Sequence, residues 1–544
     1  MNPARRRVGG APQLEEDPTP EVGVGALDGQ ARRRFRGDGP PESSPRRFGV
    51  ARRRSVRSTL LEPRDETGSF PRQFVLAFLA LYLVAGLGLM GVTPPFQSPD
   101  AFAHFDRSVQ LAQGQLTSTA SAGSPGDALP VGVYQTEVVF SAMAEAPAVR
   151  LAWSEFVYGW RQTWSSPKYF TTFTTGGNIP FLYLPQTLGV EIGRVAGGHI
   201  LVSYYAAEFM NFLAFVVLTG WAMLQFPRRL AFPFAVFLLL PMVTSLAISV
   251  NPDCLLIALS SVFAAAWYRR LREVDDARAA ADDGETPRWW KIWSDRNGLI
   301  AYAALFAMAM EKPPLLLLGL LLPLADVKVS LRRYALRSVV VTASIALAYE
   351  LWARVAAVPH VVTHHAAGIA PLHQLGLLVS NPVKGFDVLT TSLEQSGVLY
   401  AKEFLAGIGW LDTWFPSWFY RGAGLVVVIA LVSAISVARR GAARTYSSLA
   451  VLALTAAGLL FTFYLVDTPY FNPTVIGFQG RYLLPLVPSL LVALGWRTPT
   501  PTATRSLEQP LGLLVRDYGA IALVGLQAWI FTAYVLTVLN RYWP

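Results

Sequence analysis

The chain has 544 residues, 53% of them hydrophobic and only 15% charged, with a mean hydropathy of +0.37. A soluble domain carries about 25% charged residues. This composition, with apolar residues gathered in separate runs of roughly twenty, excludes a water-soluble globular domain and points to an all-α, polytopic transmembrane protein. The formal net charge is +10, and the single cysteine, Cys254, rules out an intramolecular disulfide or a thiolate metal cluster.

Residues 1–72 hold much of the positive charge, in Arg5-Arg6-Arg7, Arg32-Arg33-Arg34 and Arg52-Arg53-Arg54, spaced by Pro, Gly, Ser and acidic residues. Such a segment builds no core. It is expected to be a disordered cytoplasmic tail that holds the N-terminus inside, against anionic lipid, and not a nucleic-acid-binding arm. Residues 73–544 form the transmembrane domain. Spans are expected at 73–92, 199–224, 230–250, 254–270, 298–310, 313–325, 338–357, 423–438, 446–466, 482–496 and 518–538. The pair at 298–325, divided by Pro313-Pro314, is either two short spans or one re-entrant pair.

Eleven crossings from an inside N-terminus place the C-terminus outside. The loops then assigned inside contain Arg228-Arg229, the stretches 269–296, 328–337 and 439–444, and the stretch 497–516, all enriched in Lys and Arg as the positive-inside rule requires. Two long outer loops remain, 93–198 and 358–422. Both are rich in Trp, Tyr and Phe, among them Trp153, Tyr158, Trp160 and Trp164 in the first and Trp410, Trp414 and Trp418 in the second. Aromatic residues at this density suit helices lying in the lipid interface.

Four polar stretches fall on the outer side of this topology. The first, PPFQSPDAFAHF at 94–105, follows directly on the first span and sets Asp100, His104 and Asp106 where the chain leaves the membrane. Ionisable groups at that depth are costly unless paired, hydrated or used. A carboxylate and an imidazole at i and i+4 share one helix face. Asp100 with His104 is then a general base with its orienting partner, or Asp100 is the cap of the helix that follows; the residues leave both readings open. The second stretch offers Asn251 and Asp253 as ligand contacts or as a tight turn. The third contains Trp410, Asp412 and Thr413. The fourth is Gln479, Gly480, Arg481 and Tyr482, where a guanidinium either clamps a phosphate or snorkels from a helix end. Lys312 pairs with its neighbour Glu311 or approaches a lipid phosphate. His360, His364, His365 and His373 have no carboxylate or thiolate at ligand spacing and suit a hydrated loop.

Taken in order, these stretches resemble the bacterial multi-pass membrane proteins called domain of unknown function 2142. The resemblance rests on PPFQSPDAFAHF, YLPQTLGVEIGR from Tyr183, NPDCL at Asn251, EKPPLLLL at Glu311, GWLDTWFP at Gly409 and FQGRYLLPLVP at Phe478, and it covers residues 74–496. That family is in turn similar to the C-type membrane glycosyltransferases, which take a sugar from a polyprenyl-phosphate carrier and keep a catalytic acidic residue in the first outer loop.

The resemblance implies a C-type architecture in the bacterial inner membrane, with interfacial helices in the first outer loop. It makes Asp100 and His104 the catalytic pair and Arg481 the contact to the carrier phosphate. Gln479, Tyr482, Asp412, Trp410, Asn251, Asp253 and Lys312 are assigned to substrate binding. Ala101 stands where the family usually has a second acidic residue, which disfavours a divalent metal and leaves a cofactor-free mechanism. Glu208 stands where related chains often show a basic residue. The implied partners are a polyprenyl-phosphate sugar donor, a glycan or lipid-linked saccharide acceptor, and membrane lipids, with no nucleic acid. The rival reading is a transporter or flippase for a lipid-linked saccharide. It needs charges along a central path, and mid-span ionisable residues are sparse, Glu208 and Glu350 being the foremost. A third reading is an inactive scaffold of a glycan assembly complex.

Overall fold

The computed structural model describes residues 70–121, 123–280, 295–325, 331–356, 368–435, 442–496 and 510–544. The arginine clusters of the first 69 residues and the side chains of His360, His364 and His365 lie outside the described residues.

The chain begins with α1 (Arg72–Val92). A first long connection carries α2 (Ala101–Ala112), strands β1 (Thr119–Ser121) and β2 (Ser124–Pro130), α3 (Val131–Ser141), α4 (Trp153–Trp160), β3 (Lys168–Thr172) and α5 (Leu184–Gly197). Then come α6 (Ile200–Gln225), α7 (Arg228–Leu238), α8 (Pro241–Ala247) and α9 (Asp253–Ala280). After α10 (Arg296–Glu311), a 3₁₀ segment at Pro313–Ala325 leads to α11 (Leu331–Ala356). A second connection holds α12 (Pro371–Ser380), α13 (Pro382–Ala406) and a short hairpin of β4 (Gly407–Ile408) and β5 (Thr413–Trp414). The chain closes with α14 (Ser417–Ala434), α15 (Ala442–Val466), a 3₁₀ turn at Gly480–Leu486 that runs into α16 (Val487–Gly495), and α17 (Pro510–Tyr542).

Among the described residues, seven helices are long and apolar enough to cross a bilayer: α1, α6, α9, α11, α14, α15 and α17. The α7–α8 pair, bent by 71°, is an eighth if counted as one broken span. Fewer full-length helices therefore form than the eleven spans expected. The run at 230–250 breaks because Pro241 starts a new helix, and the Tyr82 hydroxyl caps the break by donating to the Leu238 carbonyl at 3.1 Å. The runs at 298–310, 313–325 and 482–496 fold as a 16-residue helix, a 13-residue 3₁₀ segment, and a 3₁₀ turn continued by nine helical residues. A 3₁₀ helix rises about 2.0 Å per residue, so thirteen residues reach about 26 Å, close to the thickness of a bilayer core. Hydropathy counts residues and not rise, and so it scored these pieces as spans.

Helix α9 is the central pillar, with 89% of its apolar stretch buried, whereas α11 is peripheral at 11%. Over residues 254–268 the α9 sequence is apolar on all sides, with Ser260 and Ser261 returning their hydroxyls to the Ile257 carbonyl at 2.8 Å. Helix α5 packs tightly on α6 because Gly189 and Gly193 sit on the Ala206–Ala207 and Ser203 backbone, where a side chain would collide. This is small-residue packing of the kind that lets membrane helices approach closely.

The first connection is less helical than expected. Strands β1, β2 and β3 form an antiparallel sheet in that order, with Gly126 opposite Thr172 and Asp127 opposite Thr171. The β2 sequence SPGDALP has little strand propensity, and tertiary pairing decides its conformation. Helix α4 does present Trp153, Tyr158 and Trp160 on its exposed side.

Candidate active site

The loop between α1 and α2, the N-terminus of α9, the start of the Pro313–Ala325 segment and the 3₁₀ turn at Gly480–Leu486 converge. Their polar side chains form one ion-pair cluster. Asp100 stands at the N-cap position of α2, but in the left-handed region, at φ 61°. Asp tolerates that conformation better than most residues, and such outliers concentrate at functional sites. The consequence is geometric. The Asp100 carboxylate makes no cap hydrogen bond, so the capping reading does not hold. Instead it accepts from Arg481 Nη2 at 2.9 Å. The preceding Pro99 carbonyl is held by Asn251 Nδ2 at 3.0 Å.

Arg481 is placed by its neighbours. A side chain at Gly480 would collide with the Tyr400 carbonyl, so only glycine lets the turn lie against α13. The Gly480 N–H donates to Glu403 Oε2 at 2.7 Å, which fixes that turn. Arg481 Nε then donates to Gln479 Oε1 at 2.6 Å, and Nη1 faces Asp253 Oδ2 at 3.5 Å. The Arg481 side chain is 2% exposed while that of Asp100 is 57% exposed. The guanidinium is thus no snorkelling group; it is a buried cation with an open carboxylate on its outer side.

Lys312 Nζ donates to Asp253 Oδ1 at 2.5 Å and lies 4.2 Å from the centre of the Tyr482 ring, which also flanks Arg481. The cluster therefore alternates two carboxylates with two cations, buried except at Asp100, and each charge has a partner. The local pairing expected between Glu311 and Lys312 is not what forms. Glu311 accepts from Asn178 Nδ2 at 2.9 Å, because adjacent residues at a helix end point in different directions. Asn251 also serves the turn, its Oδ1 accepting the Asp253 N–H at 2.8 Å.

His104 does not share a face with the Asp100 carboxylate, since Asp100 is outside the helix. Its Nδ1 bonds instead to the Tyr183 hydroxyl at 2.9 Å, and Tyr183 in turn receives Asn178 Nδ2 at 3.1 Å. Burial pushes the imidazole down to about 4, against the pull of the Asp100 and Asp253 carboxylates. At neutral pH it is uncharged and able to relay one hydrogen bond. Trp410 packs on the segment that carries Asp100, donating Nε1 to the Phe96 carbonyl at 2.9 Å and stacking on Phe102 at 5.2 Å. Asp412 is not brought into the cluster. It pairs with Arg541 at 2.9 Å, and Arg541 also donates to the carbonyls of Met143, Ala146 and Val149, tying the end of α17 to the first connection.

Sequence reasoning gave no role to Glu403, Tyr183 or Asn178, whose parts depend on long-range contacts. It also left Asp106 unused. Asp106 and Glu137 form a fully buried, hydrogen-bonded carboxyl pair between α2 and α3. Burial raises both; the Asp106 carboxylate raises Glu137 further, while the hydrogen bond with Glu137 offsets part of the rise at Asp106, so the pair holds at least one proton at neutral pH. Among the described residues, no three His, Cys, Asp or Glu side chains converge in a way that could hold a metal ion.

Residues 83–490 match the family described as "Predicted membrane protein (DUF2142)". No curated protein matches the chain. Among solved structures, ArnT from Cupriavidus metallidurans bound to undecaprenyl phosphate aligns over 87% of this chain and 77% of its own, at 14% identity and a TM-score of 0.35. That likeness is too low for residue roles to be transferred.

Proposed function

The chain belongs to the DUF2142 family of membrane proteins, and from that premise we propose that it is a glycosyltransferase of the bacterial inner membrane. It would move a sugar from a polyprenyl-phosphate carrier to a cell-surface glycan or lipid-linked acceptor. The observation that carries this reading is the open Asp100 carboxylate held 2.9 Å from buried Arg481, itself beside the Asp253–Lys312 pair.

The chemistry follows from those two charges. The acceptor hydroxyl oxygen bonds to the anomeric carbon while the bond from that carbon to the carrier phosphate breaks. The phosphate leaves with the electron pair, and Asp100 takes the hydroxyl proton as general base. A single displacement of this kind inverts the anomeric centre. Arg481 offers a fixed guanidinium to the phosphate, and Lys312 a second cation; fixed donors are most effective where charge develops in a site of low dielectric. His104, neutral and tied to Tyr183, positions the start of α2. Phe102, two residues after Asp100, stacks on Trp410 and offers an aromatic surface for a sugar ring.

The test is the surface glycan of the native host with a chromosomal Asp100→Asn substitution at matched protein level. Specific loss of one sugar is the expected result. An unchanged glycan would overturn the reading.

A further inference from the structure

A small cavity of about 10 Å³ adjoins the segment that leads to Asp100, lined by Thr93, Gln97, Ser98, Glu208, Ser245 and Ser249 among others. A volume of that order holds a single water-sized occupant. Its lining is rich in oxygen atoms that lack partners. Thr93 Oγ1, Gln97 Oε1 and Ser98 Oγ are buried without a hydrogen bond, and Gln97 and Ser98 are only 4% and 2% exposed. The Gln97 amide is oriented by its own nitrogen, which donates to the Pro95 and Phe140 carbonyls at 3.3 and 3.1 Å. Its oxygen is thus left as an acceptor. Three such oxygens around one cavity suit an occupant that oxygen atoms can hold.

Glu208 decides what that occupant is. It lies within α6, 7% exposed, and hydrogen-bonds to Tyr204, whose hydroxyl accepts the Phe96 N–H at 2.8 Å. No Lys, Arg or His among the described residues forms an ion pair with it. An ionised Glu208 inside a membrane helix without a cationic partner is costly, so the side chain either keeps its proton or takes a cation.

We propose that this cavity binds one monovalent alkali cation of sodium's size, held by the Glu208 carboxylate and the oxygens of Thr93, Gln97 and Ser98. Carboxylate, amide and hydroxyl oxygens are hard ligands that select hard cations over transition metals. One carboxylate balances one unit of charge, whereas a divalent ion would leave a net charge in a medium of low dielectric. Thr93, Gln97 and Ser98 belong to the segment that ends at Asp100, so the ion fixes the backbone from which the candidate base projects. This inference does not depend on the transferase reading.

The test uses the purified full chain in detergent, with NaCl exchanged for choline chloride at constant ionic strength. The wild type should bind ²²Na⁺ saturably at one ion per chain and gain thermal stability over the same concentration range. Glu208→Gln should lose both responses, and Glu191→Gln, which alters only an exposed pair with Arg194, should keep them. Absence of saturable ²²Na⁺ binding to the wild type would overturn the proposal and leave the cavity to a water. Should Glu208→Gln fail to fold, the ²²Na⁺ stoichiometry and its competition by K⁺ and Li⁺ in the wild type decide the matter alone. Equal stabilisation by choline and Na⁺ would also count against it.

Discussion

Asp253→Asn is the most informative single change in the ion-pair cluster. It removes one negative charge that lies 2.5 Å from Lys312 and 3.5 Å from Arg481, and it leaves the Asn251–Asp253 backbone turn intact. Removing one partner of a buried pair costs about 3–5 kcal/mol, because the remaining charge stays buried without compensation. Arg481 keeps Asp100 as a partner and Lys312 is partly exposed, so the lower end, about 3 kcal/mol, applies. At about 2.1 cal/mol/K per residue over several hundred residues, that is a fall of at least ~3 °C in Tm, and more where helices stay formed in detergent. The assay is intrinsic-fluorescence unfolding of the solubilised chain at a fixed scan rate, since unfolding is expected to be irreversible. Undecaprenyl phosphate should then raise the Tm of the variant more than that of the wild type, because two cations are left short of negative charge. A variant with wild-type Tm and no larger ligand response would refute the claim that Asp253 balances Arg481 and Lys312.

Three further outcomes follow from the same geometry. Gly480→Ala should destabilise the protein by about 1–3 kcal/mol through overpacking against the Tyr400 carbonyl, and should weaken undecaprenyl phosphate binding by displacing Arg481, read by lipid titration in detergent. Asp106→Asn should stabilise the protein as pH rises past neutral. The folded pair holds its proton above the pH at which the unfolded carboxyls lose theirs, so its contribution is present at low pH and is lost on the alkaline side. Thermal unfolding at about pH 6 against about pH 9 checks the sign. Arg541→Gln should cost about 3–5 kcal/mol, since it strands buried Asp412 and frees three carbonyls; limited proteolysis between α3 and α4 should accelerate.

The apolar runs that became α1, α6 and α9 were legible from composition alone, whereas the break at Pro241, inside the single span expected at 230–250, was not. Nor was the 71° bend there, because packing sets its angle. At the site, the residue types at Asp100 and Arg481 were conspicuous, but their meeting is separated by 381 positions and nothing local encodes it. Where local reasoning was applied across the loop it misled. The i, i+4 relation of Asp100 and His104 presumes helical geometry at both, and φ 61° at Asp100 removes it. Adjacency of Glu311 and Lys312 likewise suggested a pair, yet Lys312 finds Asp253 and Glu311 finds Asn178. Arg541 lies just beyond the expected last span, and its buried role required the first connection to fold over it.

The central claim is that Asp100 is the base in sugar transfer from a polyprenyl-phosphate carrier. It is tested most directly by measuring release of undecaprenyl phosphate from undecaprenyl-phosphate-linked sugars by purified protein, with glycan extracted from the host as acceptor. Wild type should release the carrier phosphate in an acceptor-dependent manner. Asp100→Asn should be slower by about 10²–10⁴-fold while folding as the wild type does and binding undecaprenyl phosphate at least as tightly, since Arg481 loses a carboxylate partner. Release by Asp100→Asn at the wild-type rate would contradict the account.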